Sequence, residues 1–144
     1  MKFNLKQITF VTTKETEFIN ITDNVKEFVK ISGLENGFVL VMSKHTTTAI
    51  IVNEGLPDLE SDIAKQLEHL APNDMPYYRH SRFLHSDGQM AINSSSHIRG
   101  ALLGFEVIFP INNGQMIVGN RQTIYFVELD GPQERTYVIQ AMGE

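Results

Sequence analysis

Apolar and polar residues alternate from the start of the chain. Phe3, Leu5, Gln7, Thr9 and Val11 share one face of an extended segment and Ile8 and Phe10 the other, the period-two pattern of a β-strand. Residues 17–22 alternate again, with Phe18 and Ile21 out of phase, which predicts a strand that folds back on the first across residues 12–16. Val25, Phe28 and Val29 form the stripe of a short helix that Thr22 or Asp23 caps and Gly33 closes. The unbroken apolar run 38–42 has the length of a central strand. A second run at 49–52 is reached through the polar His45-Thr46-Thr47-Thr48. Pro57 and Asp58 open the clearest helix, in which Leu59, Ile63, Leu67 and Leu70 recur at helical spacing while Glu60, Asp62, Lys65 and Glu68 face outward. Pro72 ends it.

Residues 73–95 carry no stable period and predict a long loop, a kind of segment that in compact domains is usually functional or disordered. A last short helix is expected over 94–103, with Ile98, Ala101 and Leu102 on one face and Gly104 as its stop. Segments 105–110, 115–118, 123–129 and 136–141 read as strands, with turns at Asn112-Asn113-Gly114 and Asp130-Gly131-Pro132. Strands mixed with a few helices and joined largely by hairpins predict an α+β fold rather than a doubly wound sheet. The expected architecture is one domain over 1–144, a mixed or antiparallel β-sandwich with three short helices.

Composition narrows the function classes. The 144 residues are 42% hydrophobic and 20% charged, ordinary for one globular domain large enough to hold a core without disulfide or structural metal. The net charge is -5 and no long run of Lys or Arg occurs, so a grip on a nucleic-acid backbone has little support. There is no cysteine, which removes disulfides, thiolate catalysis and sulfur-ligated metals. No signal-peptide pattern opens the chain and no stretch approaches about 18 apolar residues, so a cytoplasmic protein without a membrane partner is expected.

Three histidines sit at element ends: His45 after a buried strand, His80 in the long loop and His97 at the start of a helix. Imidazole is both the commonest metal ligand and the natural acid or base near neutral pH. Their separations match no compact metal motif, and each alone reads as a polar side chain ending an element. Company changes that weighting. Thr46 and Thr47 follow His45, Asn53-Glu54 close the next strand, and Asn93 precedes His97 by one helical turn. Glu54 can be a general base, a metal ligand or a solvated turn residue. Asp62 and His69 read as surface groups, and His85 as part of a loop insert. Arg121 and Arg135 are competent for bidentate anion binding, although both lie beside turns whose glycines and proline explain them locally. The Ser94-Ser95-Ser96 helix start can be a plain N-cap or a phosphate site.

One ordered set of residues is specific. His45-Thr46-Thr47, Asn53-Glu54, Asp62, Tyr78-x-His80, Asn93-x-x-x-His97-Ile98, Ala101-Leu102-Leu103-Gly104, Gly119-x-x-Gln122, Glu128, Asp130-Gly131-Pro132, Arg135 and Gly143-Glu144 together resemble the signature of the YjbQ-like family. The resemblance runs from about Lys2 to Glu144. It implies an α+β sandwich assembling as a homotrimer, with the shared polar residues in a pocket near subunit contacts, and for some members a thiamine-phosphate synthase side activity. The chain departs from the family pattern at Arg121, where an aromatic residue is usual, and in a longer loop at 81–92.

The resulting expectation is an enzyme in which His45, His80 and His97 converge on a divalent metal, zinc or magnesium, or on an anion. His45, Glu54 and His97 are the expected catalytic groups. Thr46, Thr47, Asn53, Asn93, Gln122 and Arg135 are expected to bind a small phosphorylated metabolite. Two alternatives stay open: a metal-dependent hydrolase of a small phosphorylated or amide substrate, and a non-catalytic trimeric module that binds a metabolite. Arg121 is expected to face a neighbouring subunit or solvent.

Overall fold

The computed structural model describes residues 1–80 and 92–144. Among these residues, eight strands and three helices follow in the order β1 (Lys2–Val11), β2 (Glu17–Asn20), α1 (Thr22–Ser32), β3 (Asn36–Ser43), β4 (Thr48–Glu54), α2 (Pro57–Leu70), α3 (Ser94–Leu103), β5 (Glu106–Asn112), β6 (Gln115–Met116), β7 (Gln122–Glu128) and β8 (Glu134–Gly143). Every strand pairing among the described residues is antiparallel. One sheet has the order β1-β8-β3-β5-β6 and the other β2-β7-β4.

Two apolar layers hold these elements. Alternation in β3, β5 and β8 turns Val39, Val41, Phe109, Ile111, Tyr137 and Ile139 to the inner side of the larger sheet. They pack against Ile50, Ile124 and Phe126 of the smaller sheet and against Val25, Phe28 and Val29 of α1. The opposite face of the smaller sheet carries Ala49, Tyr125 and Val127, which Ile63 and Leu67 of α2 and Leu103 of α3 cover. Strands β4 and β7 are therefore apolar on both faces, which explains their unbroken apolar runs.

The expected hairpin between β1 and β2 does not form. β1 pairs with β8 along its whole length and β2 pairs with β7 in the other sheet, so residues 12–16 cross between layers. Thr12 inside that crossing is buried. Neither Thr22 nor Asp23 caps α1: the cap position is Ile21, and Asn20 Oδ1 accepts the Thr22 amide at 3.0 Å. Thr22 Oγ1 instead accepts the Ile124 amide at 2.9 Å, tying the helix start to β7. Gly33 closes α1 in the left-handed region (φ 66), which only glycine enters without a Cβ penalty. Gly131 does not supply a positive φ; a Cβ there would collide with the Lys14 carbonyl oxygen, so close approach of two chain segments is what requires glycine. Much of the long loop, including His85, lies outside the described residues.

Candidate functional site

β3 ends its pairing with β8 at Ser43↔Tyr137, and the chain turns through residues 44–47 into β4. The turn is closed by its own hydroxyls. Ser43 Oγ accepts the His45 amide at 3.2 Å and lies 2.5 Å from Thr48 Oγ1, which donates to the His45 carbonyl at 3.1 Å. One step further the Lys44 amide still donates to the Thr136 carbonyl at 3.3 Å, while the Thr136 amide of β8 donates to Nε2 of His45 at 2.9 Å. The imidazole thus takes the place of the next carbonyl in the ladder and satisfies an amide that would otherwise lack a partner. Because Nε2 accepts, the proton of neutral His45 resides on Nδ1. Burial, with Arg135 and Lys44 nearby, pushes the His45 pKa below its ordinary 6.5, and Glu128 offsets part of this.

Beneath the turn lies a closed ionic network. Arg135 Nε and Nη2 donate to the two carboxylate oxygens of Glu128, each at 2.7 Å, and Nη2 also donates to Thr47 Oγ1 at 2.8 Å. Glu128 further accepts from Thr12 Oγ1 and from the Leu129 and Asp130 amides. Its carboxylate is fully buried and Arg135 is 4% exposed. Burial alone would raise the Glu128 pKa; the donors from Arg135, the Asp130 amide and Thr12 outweigh it and hold the group below the usual range. Arg135 is committed to a structural pair, and its link to Thr47 positions the His45 turn. Thr47 is buried with it, whereas Thr46 stays exposed.

Helix α3 brings His97 to the same place. Its start is anchored by Ser96 Oγ donating to the Leu129 carbonyl at 2.6 Å, and farther along Arg99 donates twice to the Ala71 carbonyl at the end of α2. The three serines are buried and Asn93 Nδ2 donates to Asp130 Oδ2 at 2.8 Å, so the helix start already has an acidic neighbour. Asn93 Oδ1 is buried without a hydrogen-bond partner among the described residues. Burial pushes the His97 pKa below 6.5 and His80 adds to the effect, while Asp130 and the Thr46 backbone act against it.

His97 lines two cavities. The first, of about 410 Å³, is shared with His45, Lys44, Thr46, Gly100 and Phe105. The second, of about 500 Å³, is shared with Tyr77, Tyr78, Arg79, His80, Ser94 and Ile98. The rings of His80 and His97 meet edge to face, with centroids 4.9 Å apart and planes at 90°.

The strand register keeps Asn53, Glu54 and Gln122 away from these cavities. β4 pairs with β7 from Thr48↔Glu128 to Glu54↔Gln122, so Asn53, Glu54 and Gln122 stand five or six residues along the strand from the histidine end, roughly 17–20 Å at the usual rise. There Glu54 Oε1 accepts from Arg121 Nη1 at 2.9 Å, and Gln122 Oε1 accepts the Gly119 amide at 2.7 Å. The Arg121 side chain is 85% exposed. In one chain Glu54 is therefore not within reach of His45 or His97.

Among the described residues no group of three or more His, Asp or Glu is placed to hold a metal ion, and the Nε2 lone pair of His45 is used by the Thr136 amide. The sequence pattern did not single out Lys44, Gly100, Phe105 or Tyr77 as lining residues. Glu128 left one readable signal, a lone carboxylate inside the apolar run of β7, which demands a buried partner such as Arg135.

Comparison with known proteins adds the family. The model of the UPF0047 protein YjbQ-like family matches residues 6–144. A UPF0047 protein of Methanothermobacter thermautotrophicus is 36% identical over 146 residues, covering 100% of this chain and 95% of the relative. One from Archaeoglobus fulgidus is 36% identical over 136 residues, covering 94% and 99%. Among solved structures, a YbjQ-like protein of unknown function from Sulfolobus solfataricus superposes with a TM-score of 0.91 at 31% identity, over 99% of both chains. A hypothetical protein from Aeropyrum pernix gives 0.88 at 30% identity, over 98% of this chain and 99% of the other.

Proposed function

The chain belongs to the YjbQ-like UPF0047 family, and on that premise we propose that it is a small-molecule enzyme working by histidine acid–base chemistry in the cavity between His45 and His97. One observation carries this reading: two imidazoles that burial keeps neutral line one cavity of about 410 Å³, and their ring nitrogens are not equivalent. His45 has its acceptor nitrogen occupied by the Thr136 amide, so it offers Nδ1–H as a donor. Neutral His97 retains a lone pair and serves as the base, and Asp130 nearby favours the imidazolium that forms when it takes a proton. A pair made of one fixed donor and one base is what proton transfer to and from a substrate needs. Lys44 at the cavity supplies positive charge for a small anionic, for example phosphorylated, substrate.

The narrower reading, thiamine-phosphate formation, requires cations for a leaving pyrophosphate. Arg135 is bound to Glu128 and Arg121 to Glu54 at the far end, which leaves Lys44 to carry that role in this cavity. The test is turnover by purified wild type, His45→Asn and His97→Asn. Substrates are small phosphate esters, carboxylic esters and amides, together with the pyrimidine diphosphate and thiazole phosphate pair. Both variants should lose at least about a hundredfold in turnover, the lower range for a general acid or base. Turnover equal to wild type in His97→Asn refutes the base assignment. Tight metabolite binding without turnover on any substrate would make the protein a binding module instead.

We also propose that the chain assembles with copies of itself, as a homotrimer on the family resemblance. The outer face of the larger sheet supports this. Its cross-strand rows place Phe3, Met142, Phe38 and Pro110 in one line and Leu5, Gln140, Leu40 and Ile108 in the next. Phe3, Leu5 and Ile108 are 62%, 59% and 60% exposed in the single chain, an apolar patch of the kind that a second copy covers.

A further inference from the structure

We propose that the cavity of about 500 Å³ on the other side of His97 binds a planar aromatic ring of the molecule that reacts there, with Tyr77 as its specificity-determining residue. This rests on the reading of His97 as the base, because the two cavities share that residue and a single elongated molecule can span both. The volume falls within the roughly 300–1,000 Å³ of small-molecule sites.

The walls select for flatness. Tyr77 is 68% exposed, so most of its ring faces outward from the fold. Its ring is nevertheless held: it stands edge to face against Tyr78, centroids 5.2 Å apart at 87°, and Tyr78 is 5% exposed beneath it. An aromatic fixed by a buried neighbour presents its face to a ligand at little entropic cost, since a tyrosine has only two χ angles to restrain. His80 adds a second flat group, oriented by its contact with His97, and Ile98, at 37% exposure, adds an aliphatic one. Ring faces attract ring edges and faces by dispersion and quadrupole, terms that a puckered ring of equal size and charge gains less from. Ser94 and Arg79 line the same cavity. The first cavity, with Lys44 and the His45 donor, then takes the anionic end, and the reacting bond lies over His97.

The test compares benzoate with cyclohexanecarboxylate, a flat and a puckered ring carrying the same carboxylate, by titration of the full chain followed in ligand-observed and imidazole NMR signals. Benzoate should bind at least about tenfold tighter. Tyr77→Phe should keep this preference and Tyr77→Ala should abolish it, with the melting temperature of both unchanged and the response of His45 to inorganic phosphate intact. Equal affinity of the two carboxylates, or a preference that survives Tyr77→Ala, overturns the proposal. Failure here is separable from failure of the base assignment. Loss of ring preference with His97→Asn still inactive removes the ring lobe alone. A Tyr77-dependent preference alongside full turnover in His97→Asn upholds the lobe as a ring site and removes the base.

Discussion

Replacing Arg135 with methionine isolates the buried pair that positions the His45 turn. The substitution keeps an apolar stem of similar length but leaves the fully buried Glu128 carboxylate without its guanidinium. Glu128 would lose the two strongest of its contacts, at 2.7 Å each, and keep Thr12 Oγ1 and the Leu129 and Asp130 amides. Breaking a buried pair by removing one partner costs about 3–5 kcal/mol, and the remaining donors favour the lower end. At about 4 °C per kcal/mol for a chain of this size, the melting temperature should fall by roughly 12 °C. In the wild type the Glu128 pKa is lowered, so its contribution is present above pH 4.5 and is lost as pH falls through the depressed folded value. Without Arg135, burial dominates and raises the carboxyl; the variant is then most disadvantaged at neutral pH and the gap to wild type narrows toward pH 4. The double variant Glu128→Gln with Arg135→Met removes both charges and should recover at least about 1 kcal/mol over the single variant. Calorimetric unfolding at pH 7 and pH 4.5 checks all three. A single-variant loss below about 1 kcal/mol, or a double variant as poor as the sum of its parts, would refute the account of the pair as the anchor of the site.

Other outcomes follow from the same structure. His45 and His97 both have pKa values below 6.5, so stability is fully present above pH 6.5 and should fall as pH drops toward their lowered folded values; a denaturant midpoint that stays flat from pH 7.5 to 5.5 contradicts this. Arg121→Ala removes an exposed ion pair and should change unfolding free energy by less than about 1 kcal/mol, leaving phosphate titrations of His45 unchanged. Ile108→Glu, on the exposed face of the larger sheet, should leave the fold intact by circular dichroism while reducing a trimer mass to that of a monomer in light scattering; an unchanged mass places the contact elsewhere.

Period and local chemistry determined the elements of this protein. The alternation in β1, the apolar runs of β3 and β4, the stripe of α2 and the glycine after α1 are signals that a residue and its near neighbours decide, and their boundaries match the structure to within a few residues. His45 and His97 could be picked out as candidates because each stands at an element end among polar neighbours, and the structure places both on one cavity. Pairing across the chain was a different matter. Nothing near Phe18 states that β2 belongs with β7 rather than β1, because the partner is chosen by which face each strand can bury and that face is created by the whole sandwich. The same long-range choice decided the site. Asn53 and Glu54 follow His45 closely in sequence, yet an extended strand carries them roughly 17–20 Å away, while His97, far along the chain, arrives with α3 beside Thr46. Arg135 showed the competence of a guanidinium for anions, but only folding could show that the anion is Glu128, seven residues back across a turn and sealed from water.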